Sequence, residues 1–242
     1  MANPGLADGE DITTDGSRMV FSKQVGQQLD LFTIRMDGTG LQRLTNTAEG
    51  LRWVRRNAPV RTLALVILVF NITWGAGWSV LVLYPLDHLH MGELGLGLLS
   101  TASAVGGVVS TAAYGWLERR FALATLMRVC LTLEVATHFA LALTSNGAVA
   151  IVIMLIFGAY AFVWGTLSSA VRQRAVPQEF QGRVSAVYLV ALIGGLVIGQ
   201  LLGGVIAENW GLTAPFWFAG IGAGITLALV WRELTQIAHA GT

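Results

Sequence analysis

The chain has 242 residues, of which 54% are hydrophobic and only 12% charged, with a mean hydropathy of +0.64. A soluble domain carries about 25% charged residues, and disorder needs low hydrophobicity with high charge, so both classes are excluded. A single cysteine, Cys130, excludes a disulfide scaffold, and a net charge of +1 gives no footprint for nucleic acid.

Residues 1–50 carry seven acidic and four basic groups, including Lys23, the chain's one lysine. Residues 51–242 carry eleven Arg and seven acids over almost four times the length. The charge density drops at 47–50, which divides the chain into a polar segment, 1–49, and a membrane domain, 50–242. The first twenty residues lack the apolar core of a signal peptide.

In the polar segment, residues 19–22 and 29–36 alternate or are rich in β-formers, and Asp37 with Gly38 is a hairpin-turn signal. The expectation is a short β-hairpin.

The membrane domain holds five stretches long and apolar enough to cross about 30 Å of hydrocarbon, at 62–83, 94–117, 148–171, 184–207 and 212–231. A sixth, 121–143, contains Arg128, Glu134 and His138, but its other residues are chiefly Leu, Ala, Val and Phe. Runs of this length, apolar on all sides, satisfy their backbone in lipid as helices and not as barrel strands. The expected class is therefore all-α membrane, with six transmembrane helices.

Ten of the eleven Arg residues in this domain fall in four places. Arg52, Arg55, Arg56 and Arg61 precede the first span, Arg119 and Arg120 follow the second, Arg172, Arg174 and Arg183 lie between the fourth and fifth, and Arg232 follows the sixth. The loops at 84–93, 144–147 and 208–211 have neither Arg nor Lys. Six spans put all four sites on one side. By the positive-inside rule that side is cytoplasmic, which places both termini inside at the plasma (inner) membrane.

Glycines mark close helix approach. Gly195, Gly199 and Gly203 repeat at intervals of four, Gly194 and Gly204 widen the groove they form, and Gly106, Gly107, Gly220, Gly222 and Gly224 mark other spans. They read as packing glycines within one bundle or as a dimerisation face.

Several strings then carry a resemblance. LRWVRRNAPVRTLAL (51–65), GWLERR (115–120), SSAVRQRAVPQEFQGRVSAVY (168–188) and GLTAPF (211–216) resemble the C-terminal half of a major facilitator superfamily transporter. The likeness is to the drug and siderophore branch, including enterobactin-exporter-like proteins. It rests most on Arg172, Arg174, Pro177, Gly182, Arg183 and Val184, whereas Phe121 and Ala122 depart from the basic loop usual after GWLERR. The resemblance implies half of a twelve-helix fold and efflux of small amphipathic molecules, with lipid and a small-molecule substrate as partners and a second copy or a separate N-terminal half to complete the pathway. DGSRMVFSKQVGQQLDLFTIRMDGTGLQRLT (15–45) resembles one repeat of a Tol-Pal-type periplasmic β-propeller. One repeat cannot close a propeller, and the segment's position reads as a junction of two unrelated pieces at 45–50. The alternative function is a membrane-anchored interaction module with a propeller-repeat head.

No enzyme motif, nucleotide loop or metal-ligand spacing is present in the sequence, and no cofactor is implied. Glu134 and His138, at i and i+4, share one helix face, and ionisable groups in a span suggest a proton relay; the alternative is a neutral hydrogen-bonded pair. Asn71, Trp74 and Trp78 share a face of the first span, and Tyr160, Trp164 and Ser168 a face of the fourth. The family likeness implies that these helices line the cavity, where aromatic walls with few polar points suit amphipathic ligands; the alternative is packing. Arg119, Arg120, Arg172, Arg174 and Arg183 read as headgroup anchors or as a cytoplasmic gate. Pro177 ends the fourth helix and Gly182 turns the chain into the fifth. His88 and His90 mark an exposed loop, and Cys130 a small buried residue.

Overall fold

A computed structural model describes residues 10–12, 15–25, 28–43 and 47–234. Leu44 and Thr45, which end the repeat-like string and begin the expected junction, and both chain termini lie outside the described residues. The chain divides into two compact units, one of residues 1–58 and 176–189, the other of 59–175 and 190–242.

The first unit contains a four-stranded antiparallel sheet in chain order, β1 (Glu10–Ile12), β2 (Arg18–Val25), β3 (Gln28–Arg35) and β4 (Gln42–Arg43). The register sets Phe21 opposite Phe32, and their rings stack at 6.0 Å, a cross-strand aromatic pair of the kind that pins register. The expected turn at Asp37 and Gly38 forms. Asp37 Oδ1 accepts the Thr39 amide at 2.8 Å and the Thr39 hydroxyl at 2.7 Å, and Gly38 takes φ +81°, which a residue without Cβ adopts at no steric cost. These hydrogen bonds to its ionised form hold the Asp37 carboxyl below the usual carboxylate range.

The stretch just before the first expected span forms a helix of its own, α1 (Thr47–Arg56). It buries Val54 and exposes Leu51, Arg52, Arg55 and Arg56. Trp53 stacks on Phe180 at 5.7 Å, and Gly50 lets the Arg183 backbone approach. Arg183 in turn lies over the Phe180 ring at 5.5 Å.

The second unit is helical. It holds α2 (Ala58–Trp78), α3 (Gly95–Arg120), α4 (Leu123–Leu143), α5 (Gly147–Ala175), most of α6 (Gln181–Trp210) and α7 (Ala214–Val230). The first five are long and apolar enough to cross a membrane, and α7 is apolar with 17 residues, at the short end of the spanning range of about 17–25. This is the all-α membrane architecture expected.

Sequence punctuation explains several ends. Asn146 Oδ1 accepts the amides of Ala148 and Val149 and caps α5. Gly211, at φ +88°, closes α6, and its amide bonds Ala207 O. Pro177 lies just beyond α5, as expected, and heads a 3-10 turn, Gln178–Phe180. Gly182 does not make the turn into α6. It lies inside that helix without a positive φ, so the Pro177 turn reverses the chain. Regular hydrogen bonding in the first span ends at Trp78 and resumes as a π-helical turn, Tyr84–His88, with Pro85 in its first turn.

The glycines settle the packing question toward the bundle. A Cβ at Gly195, Gly199 or Gly203 would strike α2 at Leu68, Ile72 or Ala76. Gly106 and Gly158 bring α3 and α5 together in the same way, and Gly220 lies under the Phe139 ring. Gly194 and Gly204 do not widen this groove, because nothing lies within 4 Å of the place a Cβ would take. They face open space.

Candidate functional site

Glu134 sits mid-way along α4 and is 8% exposed; His138, one turn on, is 5% exposed. Their shared face is turned into the bundle. The carboxylate does not pair closely with the imidazole, since Nδ1 of His138 is 3.7 Å from Oε1, too far for a hydrogen bond. Nδ1 lies instead 2.7 Å from the Glu134 backbone carbonyl. A carbonyl only accepts, so Nδ1 carries the hydrogen.

The partner of the Glu134 carboxyl comes from α5. The Tyr160 hydroxyl donates to Oε2 at 2.7 Å and lies 2.8 Å from Thr137 Oγ1, which also donates to Glu134 O at 3.0 Å. Two hydroxyl hydrogens thus serve three short contacts.

One turn along α4 an aromatic cleft opens. It is a small, partly open recess with about 20 Å³ free to a water-sized occupant, between Trp74, Gly77, Trp78 and Leu81 of the first span, Thr137, His138 and Leu141 of α4, Met154 and Phe157 of α5, and Phe216 of α7. Trp74 stacks on Trp78 at 4.6 Å and runs nearly parallel to Phe157 at 6.3 Å. Gly77 fits beneath the Phe216 ring.

The residues named from sequence divide among three places. Trp74 and Trp78 line the cleft, with His138 beside them. Tyr160 joins Glu134. Asn71 donates to Ile67 O within α2, Ser168 to Gly165 O within α5, and Trp164 is half-buried; none of the three lines the cleft. Thr137, Phe157 and Phe216 were missed. Thr137 had a signal, its i+3 spacing from Glu134. Phe216 had none, since only tertiary packing brings it there.

The arginines lie at helix ends. Arg119 and Arg120 close α3, and Arg172 and Arg174 lie in the last turn of α5, where cations complement the dipole. Arg174 is close enough to Tyr114 of α3 to act on it electrostatically. Arg183 opens α6 against Phe180.

The helices of the second unit alternate. Arg128, one turn into α4, donates to Trp231 O beyond α7 at 3.1 and 3.3 Å, and Thr62 near the start of α2 donates to Glu233 at 2.9 Å. At the far end, Tyr84 donates to Leu141 O at 2.5 Å, and His88 Nε2 bonds Thr144 O at 3.1 Å. Arg61, Arg119, Arg120, Arg172 and Arg174 therefore belong to helix ends on the Arg128 side of an alternating bundle.

Residues 41–239 match the family described as transmembrane secretion effector, of the major facilitator superfamily. The chain belongs to that family. It is similar to the multidrug efflux pump Tap of Mycolicibacterium fortuitum, at 30% identity over 78% of this chain and 48% of that protein. It also resembles sugar efflux transporter B of Salmonella typhimurium (23%, over 72% of this chain and 44% of that one) and the multidrug export protein EmrB of Haemophilus influenzae (26%, over 57% and 28%). The chain spans about half the length of the first two relatives and less of the third. No solved structure matches it. It is a multi-pass membrane protein, and its family is one of transporters.

Proposed function

We propose that this secretion-effector chain is the C-terminal half of a proton-linked exporter of small amphipathic molecules. It sits in the plasma (inner) membrane with both termini cytoplasmic. The observation that carries the reading is the buried hydrogen-bonded set of Glu134, Tyr160 and Thr137, one helix turn from an open aromatic cleft. A carboxyl that can be neutral or ionised within the membrane, beside a partly open aromatic recess, suits exchange of protons for substrate. The efflux and export named for its relatives supports the direction. The sequence motif around Arg172, Arg174 and Arg183 favours the drug and siderophore branch, which includes enterobactin-exporter-like proteins.

Completion of the pathway requires a second copy or a separate N-terminal half, because α3 and α6 turn apolar residues such as Val108, Val109, Leu201 and Val205 outward. Arg119, Arg120, Arg172, Arg174 and Arg183 then form the cytoplasmic gate. The four-stranded antiparallel sheet has the strand number of one propeller blade, which supports a repeat joined to a membrane half at 45–50.

Everted membrane vesicles carrying the completed transporter test the reading. Imposing a proton gradient should drive uptake of an amphipathic fluorescent amine, and Glu134→Gln should abolish the gradient dependence. Uptake that still follows the gradient in Glu134→Gln would remove Glu134 from proton coupling.

A further inference from the structure

The recess one turn from Glu134 is too small for a drug-sized molecule and the right size for water. About 20 Å³ of it is free to a water-sized occupant. A buried water needs roughly 10–15 Å³ measured in that way, with two or more polar partners. Thr137 and His138 of α4 both line the recess and supply them. His138 Nδ1 is turned to the Glu134 carbonyl. A Cβ on Gly77, another lining residue, would lie 3.7 Å from His138 Cδ2, on the ring edge that carries Nε2. Among the described residues Nε2 has no hydrogen-bonding partner, yet it is not one of the sealed, unpartnered polar atoms, of which Thr33 Oγ1 is the one found there. Nε2 is therefore open to water. A water suits it in either state of the ring, donating to a bare nitrogen or accepting from a protonated one.

Thr137 connects such a water to the buried carboxyl. Its Oγ1 lies 2.8 Å from the Tyr160 hydroxyl, which donates to Glu134 Oε2 at 2.7 Å. The Thr137 hydrogen has two acceptors within reach, Glu134 O at 3.0 Å and the Tyr160 oxygen. Turned to Tyr160, it completes a row of donors running from the recess to Glu134, and a lone pair on Oγ1 is left for the water. We propose that the recess holds a water molecule, and that this water, Thr137 and Tyr160 form the route by which a proton reaches Glu134. The water gives a hydrogen to Thr137 Oγ1, Thr137 gives its own to Tyr160, and Tyr160 gives its own to Glu134 Oε2. A proton arriving at the water from the open side replaces the one it gave. A carboxylate has then become a carboxylic acid, and both hydroxyls and the water are restored.

The route has a direction. Along α4, Thr137, His138 and Leu141 of the recess follow Glu134, whereas Arg128 precedes it. The proton therefore arrives from the side of Glu134 nearer Tyr84 and Thr144, away from Arg128. The ionisable groups near Glu134 among the described residues are His138 and Cys130 on α4 and Tyr160 on α5. Helix α7, also packed on α4, has no ionisable side chain, and α2 has none beyond Arg61. The service of this route to export rests on the proton-linked reading above.

The full chain in liposomes provides the test. Water-edited solid-state NMR on threonine- and histidine-labelled chain should show magnetisation passing from water to the side chains of Thr137 and His138, assigned by their loss in Thr137→Val and His138→Phe. Gly77→Ala puts a methyl beside the recess, with Phe216 3.1 Å away, and should cut both transfers several-fold. Gly204→Ala, whose methyl enters open space, should leave them unchanged. Stopped-flow infrared then follows the Glu134 carboxylate as it turns to acid after a drop in pH, its band assigned by loss in Glu134→Gln. In Thr137→Val, which keeps the shape without the hydroxyl, the rate should fall about a hundredfold, the low end of what a positioned proton-transfer group contributes. Gly77→Ala should slow it too, with the same end point as the parent chain.

A dry Thr137 or His138 in the unaltered chain, a Glu134 carboxyl that stays in one state, or an unchanged rate in Thr137→Val or Gly77→Ala would each overturn the route. If Thr137→Val fails to fold, Gly77→Ala and the unaltered chain still decide. Vesicle uptake that needs the gradient and Glu134, with unchanged rates in these variants, keeps the export reading and removes this entry. Slowed protonation with uptake indifferent to the gradient does the reverse.

Discussion

The Tyr160 hydroxyl reaches Glu134 Oε2 over 2.7 Å, joining α5 to α4 inside the bundle. Tyr160→Phe removes this donor and leaves a buried carboxyl oxygen unmatched. Leaving such a group unsatisfied costs about 1–3 kcal/mol. The expected loss is of that size in detergent unfolding, with a smaller loss for Glu134→Gln, whose side chain keeps an acceptor and gains donors. Equal stability of Tyr160→Phe and the parent chain would show that the contact contributes nothing.

The backbone approach between α2 and α6 gives a paired prediction. Gly199→Ala drives a methyl into the Ile72 carbonyl, whereas Gly204→Ala enters open space. Overpacking costs about 1–3 kcal/mol. Gly199→Ala should therefore unfold at markedly lower denaturant. Gly204→Ala should match the parent or exceed it, since Ala is the better helix former. A reversed order would mean that the α6 face is misassigned.

Arg128 ties α4 to the end of α7 through Trp231 O and lies over the Trp231 ring at 5.1 Å. Arg128→Met keeps the length of the apolar stem but removes both interactions. Amide exchange should accelerate several-fold over the last turn of α7 and remain unchanged at the end of α4 near Leu143. Uniform acceleration across both helices would indicate general destabilisation instead.

The Asp37 turn has a pH dependence of definite sign. Its folded carboxyl is held below the ordinary value of 3.8 by Thr39. The stabilisation is therefore complete above that value and is lost as pH falls through the lower, folded-state value. The Thr39 amide resonance should titrate below pH 3.8, and Asp37→Asn should remove the titration. A midpoint at or above the ordinary value would contradict the turn's hydrogen bonds.

How much of this was legible follows from the range of each signal. Spans and arginine placement are set by local solvation, so apolar runs and basic ends could be read directly. Glu134 and His138 share a face by helix geometry alone, and that too was visible. What the sequence could not disclose is that Tyr160, 26 residues away, would turn to Glu134 while Trp164 and Ser168 on its own face would not enter the cleft. That choice depends on helix–helix packing, which leaves no local pattern. Helix α1 was hidden for another reason: its apolar positions are few, and its polar residues resemble those of a linker.

The three glycines of α6 that face α2 leave no side chain to act as a bearing between the two backbones. A sliding displacement would carry the carbonyls of Leu68, Ile72 and Ala76 off the glycines and onto larger neighbours such as Leu196 and Leu202. The pair therefore has one favourable alignment and moves as a single strut. Any change of shape during a working cycle must be absorbed elsewhere. The irregular backbone after Trp78 and the wide turn Tyr84–His88 lie just beyond the strut, where regular α-helical bonding has stopped.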